Sequence, residues 1–524
     1  MIYEKLKELR LYRSYSQQEL ADKLNVPLKT VKNWESGMEI PTVDNLTVLA
    51  EIFGVTVDFF CRDEDNETVN SYNIYKKIHP NYEELVSWEY WSKDLLIEYR
   101  QCLDEGKDIE KYGDLFKALN GLPFTPEKER MCDALYDLIQ KLPMRQDYPY
   151  VEPNTLEAIH AQRSEYKTEL KLRNVEDSIL GGWIGRLCGC LLGKPVEGIR
   201  ADQLKTMCEM SNNYPLSRYL TKEEVVPEIQ NAVRFWFCNI YPSTLDYMPA
   251  DDDTNYMLIA LRVLERFGRD FTSEDVARIW LECQPKGGYC TAERIAYKNF
   301  INGYNPPDSG EYKNAFREWI GAQIRADVFG YINPCNAEAA AEMAWRDARI
   351  SHVKNGIYGE MWVAAMLATA FGTDSILDII RAGLAQIPKK SRLHEAVEKI
   401  CTEYERGRSA DDTFKDIASR WNEIDNYDWC HTVSNAEIVS ACLLYGGGDY
   451  GKSICLAVSQ GFDTDCNGAT VGSVLGVMLG YDKLPHEQWT DIIHDTLYTT
   501  LLAQDKVSIR ESAKKCMEFI GPVQ

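Results

Sequence analysis

No apolar run in this chain reaches about 18 residues, so nothing in its 524 residues reads as a membrane-spanning helix. The first ten residues, MIYEKLKELR, are charged and lack the apolar core of a secretory signal. Histidine is scarce, at seven residues, and no His/Cys set shows zinc-site spacing. There is no CxxC pair either: the 16 cysteines are scattered, a pattern of reduced thiols that predicts a cytoplasmic protein. Basic charge is not in excess. The net charge of −23 argues against a protein that coats nucleic acid non-specifically.

What is present is an ordinary globular composition, 45% hydrophobic and 27% charged, on a chain too long for one core. Two or three domains are expected, and the charge divides unevenly among them. Residues 1–62 carry eight Lys/Arg and nine Asp/Glu, leaving 50 basic and 72 acidic residues for the remainder. An acidic body repels phosphate, so contact with DNA is expected only from the near-neutral first segment.

That segment reads as short amphipathic helices. Ser16 with Glu19 forms a capping box, and Leu20, Ala21 and Leu24 mark one buried face. After Asn25-Val26-Pro27 a second helix begins, its proline suiting a first helical position. Leu28, Val31 and Trp34 face inward there, which turns Lys29, Thr30, Lys32 and Asn33 outward. Two cations for phosphates and two polar groups for base edges make that face a candidate DNA reader. Gly37 ends the helix, and Leu46, Leu49, Ala50 and Phe53 close the small core. The run SQQELADKLNVPLKTVKNWESGMEIPTVDNLTVLAEIFGV resembles the phage-repressor-like (Cro/C1, XRE-type) helix-turn-helix family almost throughout. The resemblance implies a five-helix domain over 1–62 that binds double-stranded DNA, with Gln17 and the face of 28–35 entering the major groove. It also implies a homodimer matched to two half-sites.

Residues 63–173 show no repeat and no chemical motif and are expected to form a helical connector. DEDNETVN (63–70) reads as a polar acidic linker. ELVSWEYWSKDLLIEY (84–99) and RMCDALYDLIQKL (130–142) have helical spacing, with their aromatic residues predicted to pack. QDYPYVEPNTLEAI (146–159), with two prolines, predicts an extended strap.

Three small motifs carry the chemistry of residues 174–524. The first, ILGGWIGRLCGCLLGKPVEG (179–198), has glycines at 181, 182, 185, 189 and 193 that permit close helix contact, and ends at Glu197. Cys188 and Cys190 within it read as small core residues. The second, MPADDDTNYMLIALRVLE (248–265), places Asp251–Thr254 at the start of a helix whose buried face is Met257, Leu261 and Leu264. Capping by the helix dipole needs one acid; three in a row repel one another, and a bound cation relieves that repulsion. The third, SQGFDTDCNGATVGSVLGVMLG (459–480), sets Asp463 and Asp465 two apart before another small-residue helix. Convergence of the two acidic helix starts would gather four or five carboxylates, enough oxygen for two hard divalent cations.

Together these motifs resemble the ADP-ribosylglycohydrolase family over about 174–500. GGWIGRLCGCLLGKPVEG is similar to its opening helix and Glu turn, ADDDTNYM to its Thr-Asp-Asp-Thr metal motif, and GFDTDCNGA to its Gly-x-Asp-Thr-Asp motif. INPCNAEAAAEMAWRDARISHVKNGIYGEMWVAAMLA (332–368) is similar to its Ser/Thr-His stretch. The resemblance implies an all-α chain whose large domain is a dimetal hydrolase of glycosidic bonds on ADP-ribosylated substrates. By position it implies two Mg²⁺, or Mn²⁺, on Asp251, Asp252, Asp253, Asp463, Asp465 and Cys466. Glu197 would then be general base or proton shuttle, His352 would line the ribose or diphosphate pocket, and Tyr358 would either stack or bond near the ligand or belong to the helix core. Asp251 and Cys466 stand where Thr or Ser is usual. A neutral thiol is a poor partner for Mg²⁺, so Cys466 predicts a weaker site or a different ion. Two alternatives stay open: a ligand-sensing repressor without useful turnover, and a hydrolase of nucleosides or other N-glycosides.

Overall fold

Side-chain caps set several of the helix starts in this chain, those at Ser16, Thr42, Asn174 and Asp251 among them, in the computed structural model. It describes residues 2–13, 15–61, 89–235, 237 and 240–521. The chain divides into two units, Met1–Leu85 and Val86–Gln524, and is all-α apart from a two-stranded antiparallel pair, Leu497–Tyr498 with Lys506–Val507. Among the described residues no helix is long and apolar enough to cross a membrane. The acidic stretch 63–70 lies outside the described residues.

The first unit holds helices Ile2–Tyr12, Gln17–Leu24, Leu28–Glu35, Val43–Phe53 and Val57–Cys61. Ser16 and Glu19 make the reciprocal capping box, and Thr42 caps the fourth helix through the Asn45 amide. Pro27 sits just before the third helix, as its cap residue. The apolar positions meet in one core of Leu6, Leu9, Leu20, Ala21, Leu24, Val31, Trp34, Leu46, Leu49, Ala50, Phe53 and Phe60. A buried ion pair ties the first helix to the third: Arg10 donates to both Glu35 oxygens, at 2.5 and 3.0 Å.

The second unit is built around an antiparallel pair of helices, Val175–Gly193 and Thr464–Leu479. Gly185 lies against Gly472 and Gly189 against Gly468, each so closely that a Cβ would overlap the opposite carbonyl oxygen. Only glycine allows this approach, and every residue of both helices from Ser178 to Gly193 and from Thr464 to Met478, apart from the half-buried Leu180, is buried. The helix Asp252–Phe267 packs beside them with Met257, Leu261 and Leu264 buried.

Residues 89–162 add helices Leu95–Asp104, Gly113–Asn120, Pro126–Ile139 and Leu156–Gln162. The aromatic residues here pack as expected: Trp91, Phe116 and Tyr136 join a small core with Leu95, Leu135 and Ile139. Buried polar contacts lock this layer down. Arg317 pairs with Glu98 at 2.9 Å and Glu105 at 2.6 Å, and Gln101 donates to Glu318 at 2.5 Å. The 146–159 strap turns at 146–147, runs without regular structure over 148–154 and enters a helix at Leu156, and its Glu152 meets Arg392 at 2.9 Å.

Replacing Gly189 by Ala puts a methyl into the Gly468 backbone, which cannot yield as a side chain would. We expect Gly189→Ala to cost at least roughly 1–3 kcal/mol in denaturant unfolding of the large unit. Unchanged stability would show that the two helices can separate without loss.

Candidate functional site

The closeness of the two glycine-faced helices decides where the acids lie. Gly193, at the end of one helix, rests on the Thr464–Asp465 backbone that begins the other. The start of the Asp252–Phe267 helix reaches the same point. Ligand atoms of Cys190, Asp251, Asp253 and Asp465 lie within 4.8 Å of one another, as do those of Asp463, Asp465 and Cys466. All six residues are buried. Asp465 belongs to both groups and joins them.

Each carboxylate has distinct surroundings. Asp251 caps its helix: one oxygen accepts the Asp253 amide at 2.9 Å, and the other pairs with the Lys194 ammonium. Burial alone would raise Asp251, but Lys194 overrides it and holds the carboxyl below its ordinary value. Asp252, half-buried, accepts from the Asp253 amide at 3.2 Å. It is pushed well above the carboxylate range by burial and then by Asp251, Asp253 and Asp465. Asp253 gives one oxygen to Arg186 at 2.6 Å, and Arg186 reaches on to Asp327 at 2.9 Å, with all three side chains fully buried. Its carboxyl is nevertheless pushed up to about 8, by burial foremost. Asp463 accepts from the Cys430 thiol at 3.3 Å and is pushed well up by burial and then by Asp465.

Two atoms in this cluster stand out. Asp253 Oδ2 and Asp465 Oδ1 are buried and have no hydrogen-bond partner. Leaving charged acceptors unpaired in the interior is expensive unless a cation or a proton meets them. A set of carboxylate oxygens suits a hard divalent cation such as Mg²⁺ or Mn²⁺. The residues therefore fit a metal. Cys190 and Cys466 also border it, but burial, followed by the neighbouring aspartates, pushes both thiols far up and keeps them neutral.

Glu197 stands exposed at the rim. The Asp465 charge foremost, then its desolvated surroundings and Asp251, push it up to about 8. His352 and Tyr358 are not among these metal-ligating groups. His352 is buried, shares a 2.8 Å hydrogen bond with Ser351 through Nδ1, and points Nε2 to within 3.8 Å of Glu293. Burial and then Arg325 hold its imidazole neutral. Tyr358 is buried too, and its hydroxyl donates to the Pro153 carbonyl at 2.5 Å, so it fastens the strap.

Arg186, Cys190 and Lys194 carry the other half of the centre, and sequence reasoning missed all three. Their spacing of four residues was the available signal: it lines them along one face of the Val175–Gly193 helix and its cap.

In the smaller unit Lys29 and Lys32 are exposed while Thr30 and Asn33 are half-buried, all on the side away from Val31 and Trp34. Gln17 sits beside this helix, and its amide donates to Glu35 at 2.8 Å. The Arg10–Glu35 pair thus positions Gln17 as well as the helix.

Comparison with known proteins gives one family for each unit. The ADP-ribosylglycohydrolase family model matches residues 171–516, and a helix-turn-helix model matches residues 6–60. The HTH-type transcriptional activator BcrR of Enterococcus faecalis is 36% identical over 80 residues, 14% of this chain and 39% of that protein. The chain thus spans about two fifths of that relative's length. The HTH-type transcriptional regulator ImmR of Bacillus subtilis (strain 168) is 27% identical over 130 residues, 24% of this chain and 95% of that protein. A solved structure described as an ADP-ribosylglycohydrolase-related protein complex aligns with TM-score 0.38 and 17% identity, covering 66% of this chain and 99% of that one. With its family model matching well over half the chain, this protein belongs to the ADP-ribosylglycohydrolase family and carries a helix-turn-helix domain of the XRE type.

Proposed function

We propose that the large unit hydrolyses the glycosidic bond of an ADP-ribosylated substrate with the help of divalent metal, and that the small unit reads double-stranded DNA as a homodimer. The observation that carries the first half is the pair of unpartnered buried oxygens, Asp253 Oδ2 and Asp465 Oδ1, at the meeting of two helix starts. The ligand set we propose is Asp253, Asp463 and Asp465, with Asp252 and Cys466 at its edge. Mg²⁺ or Mn²⁺ held there would supply a Lewis acid for the ribose hydroxyls.

The chain's own groups do the rest. Cleavage adds water across the anomeric C–N or C–O bond: the hydroxyl goes to carbon and the proton to the leaving group. Glu197, exposed at the rim beside Asp465 and Asp251, whose charges raise its carboxyl, can take the proton of the attacking water and return one to the departing atom. The buried Arg186, fixed between Asp253 and Asp327, holds Asp253 in place. His352, neutral, is proposed to sit behind the substrate through Glu293 and Ser351, whereas Tyr358 supports the wall through the strap.

A second reading is a ligand-responsive repressor without turnover, favoured by the DNA-binding domain on the same chain and by the thiol of Cys466 in the centre. Incubating the protein with Mn²⁺ or Mg²⁺ and a panel of ADP-ribosylated proteins and nucleosides separates the two readings. Release of free ADP-ribose that stops with EDTA and falls about 10²–10⁴-fold in Glu197→Gln is expected. Intact substrates, with ADP-ribose shifting affinity for operator DNA, would instead establish the repressor. Release of free bases from nucleosides alone would move the substrate class.

For the DNA half, Lys29 and Lys32 are the phosphate contacts. Each Lys→Ala change should weaken binding about equally on all sequences and flatten the log–log salt dependence by about 1. An unaltered salt slope would remove this helix from the interface.

A further inference from the structure

The centre contains a cation of its own. Lys194 lies at the end of the Val175–Gly193 helix, one residue beyond the glycine that rests on the Thr464–Asp465 backbone, so the fold delivers its side chain to the acids. Its ammonium pairs with Asp251 Oδ2, and the side chains are 16% and 1% exposed respectively. Asp251 Oδ1 already accepts the Asp253 amide at 2.9 Å. Both oxygens of Asp251 are therefore engaged by the protein. The contrast with Asp253 Oδ2 and Asp465 Oδ1, buried with no partner, divides the cluster into a closed corner and an open one.

The chain's own cations answer part of the charge. Asp251 is matched by Lys194, and Asp253 with Asp327 shares Arg186. The Lys194 charge also acts on Asp465, against the rise that burial and Asp251 cause there. A divalent cation at the open corner would meet Asp253 Oδ2 and Asp465 Oδ1. A second would have to displace an ammonium from a carboxylate in a mostly buried site, where opposite charges attract strongly and like charges repel as strongly.

We infer that Lys194 is a built-in cation that takes the place of one metal ion at Asp251, so that the centre holds a single divalent cation between Asp253, Asp463 and Asp465. This rests on the metal-dependent reading above, and changes its stoichiometry from the two ions the family resemblance implies. The substitution of Asp where Thr is usual then has a physical reason. An extra carboxylate at 251 is tolerated because a lysine four residues beyond Cys190 and eight beyond Arg186 reaches it from the facing helix.

The test is a Mn²⁺ titration of the metal-free full chain, with bound ion counted by elemental analysis and its surroundings read by electron paramagnetic resonance. One Mn²⁺ per chain with the resolved hyperfine pattern of an isolated ion is expected. Lys194→Ala and the length-preserving Lys194→Met should each admit a second Mn²⁺ and show the broadened signal of a coupled pair. Two coupled ions in the unaltered protein would overturn the inference, as would variants that fold yet still bind one. No bound Mn²⁺ at all would instead bring down the metal-dependent reading beneath it. Should neither variant fold, the count on the unaltered protein still decides.

Discussion

Negative charge held in a dry interior is the constraint on which the rest of this fold turns. Several carboxylates, Asp251, Asp253, Asp463 and Asp465 among them, are buried where two helices begin. Helix dipoles favour carboxylates at such ends, but each contributes only about 0.3–1 kcal/mol against mutual repulsion and lost hydration. The glycine contacts of Gly185 with Gly472 and Gly189 with Gly468 set the arrangement, because they bring the helix of Arg186, with Lys194 at its end, into backbone contact with the helix carrying Asp465. Separation would take those cations from the acids and forfeit the packing of two nearly all-buried helices. The fold keeps the packing and answers the charge with Arg186 and Lys194 from its own chain, and leaves Asp253 Oδ2 and Asp465 Oδ1 unpartnered, where we propose a divalent ion.

The same economy of buried polar contacts organises the layer over residues 89–162. Glu98, Glu105 and Glu152 each meet an arginine of the main body, and Glu318 lies between Arg392 and Gln101. Buried ion pairs of this kind add little net stability, yet they are costly to misalign, so they fix one register of the layer on the body. Tyr358 belongs to this system through Pro153.

Much of this was legible in the sequence, and the boundary is instructive. The Asp251–Asp253 run and the Asp463/Asp465 pair were readable because caps and small-residue runs announce helix starts. Ser16 with Glu19, and the core of Leu20, Val31, Trp34 and Phe53, follow from local rules of the same kind. Pairings across long separations were not readable: nothing local links Arg10 to Glu35, Arg392 to Glu152, or Lys194 to Asp251. Gln17 shows the mixture. The family resemblance grouped it with the exposed face of residues 28–35, while the bond of its amide to Glu35 was not readable. The stripe Arg186, Cys190, Lys194 lay between the two, readable by its spacing but hidden among glycines and small apolar residues that suggested only packing.

If excess buried charge governs the centre, its relief should be visible in stability without any substrate. Calorimetric melting of the metal-free chain in rising Mn²⁺ measures this directly, since an ion bound only by the folded state raises the transition temperature with concentration. A steady rise for the large unit's transition, absent when Asp253 and Asp465 are both changed to Asn, is the predicted result. A transition that ignores Mn²⁺ at every concentration would contradict the account, and would mean that protons alone neutralise the cluster.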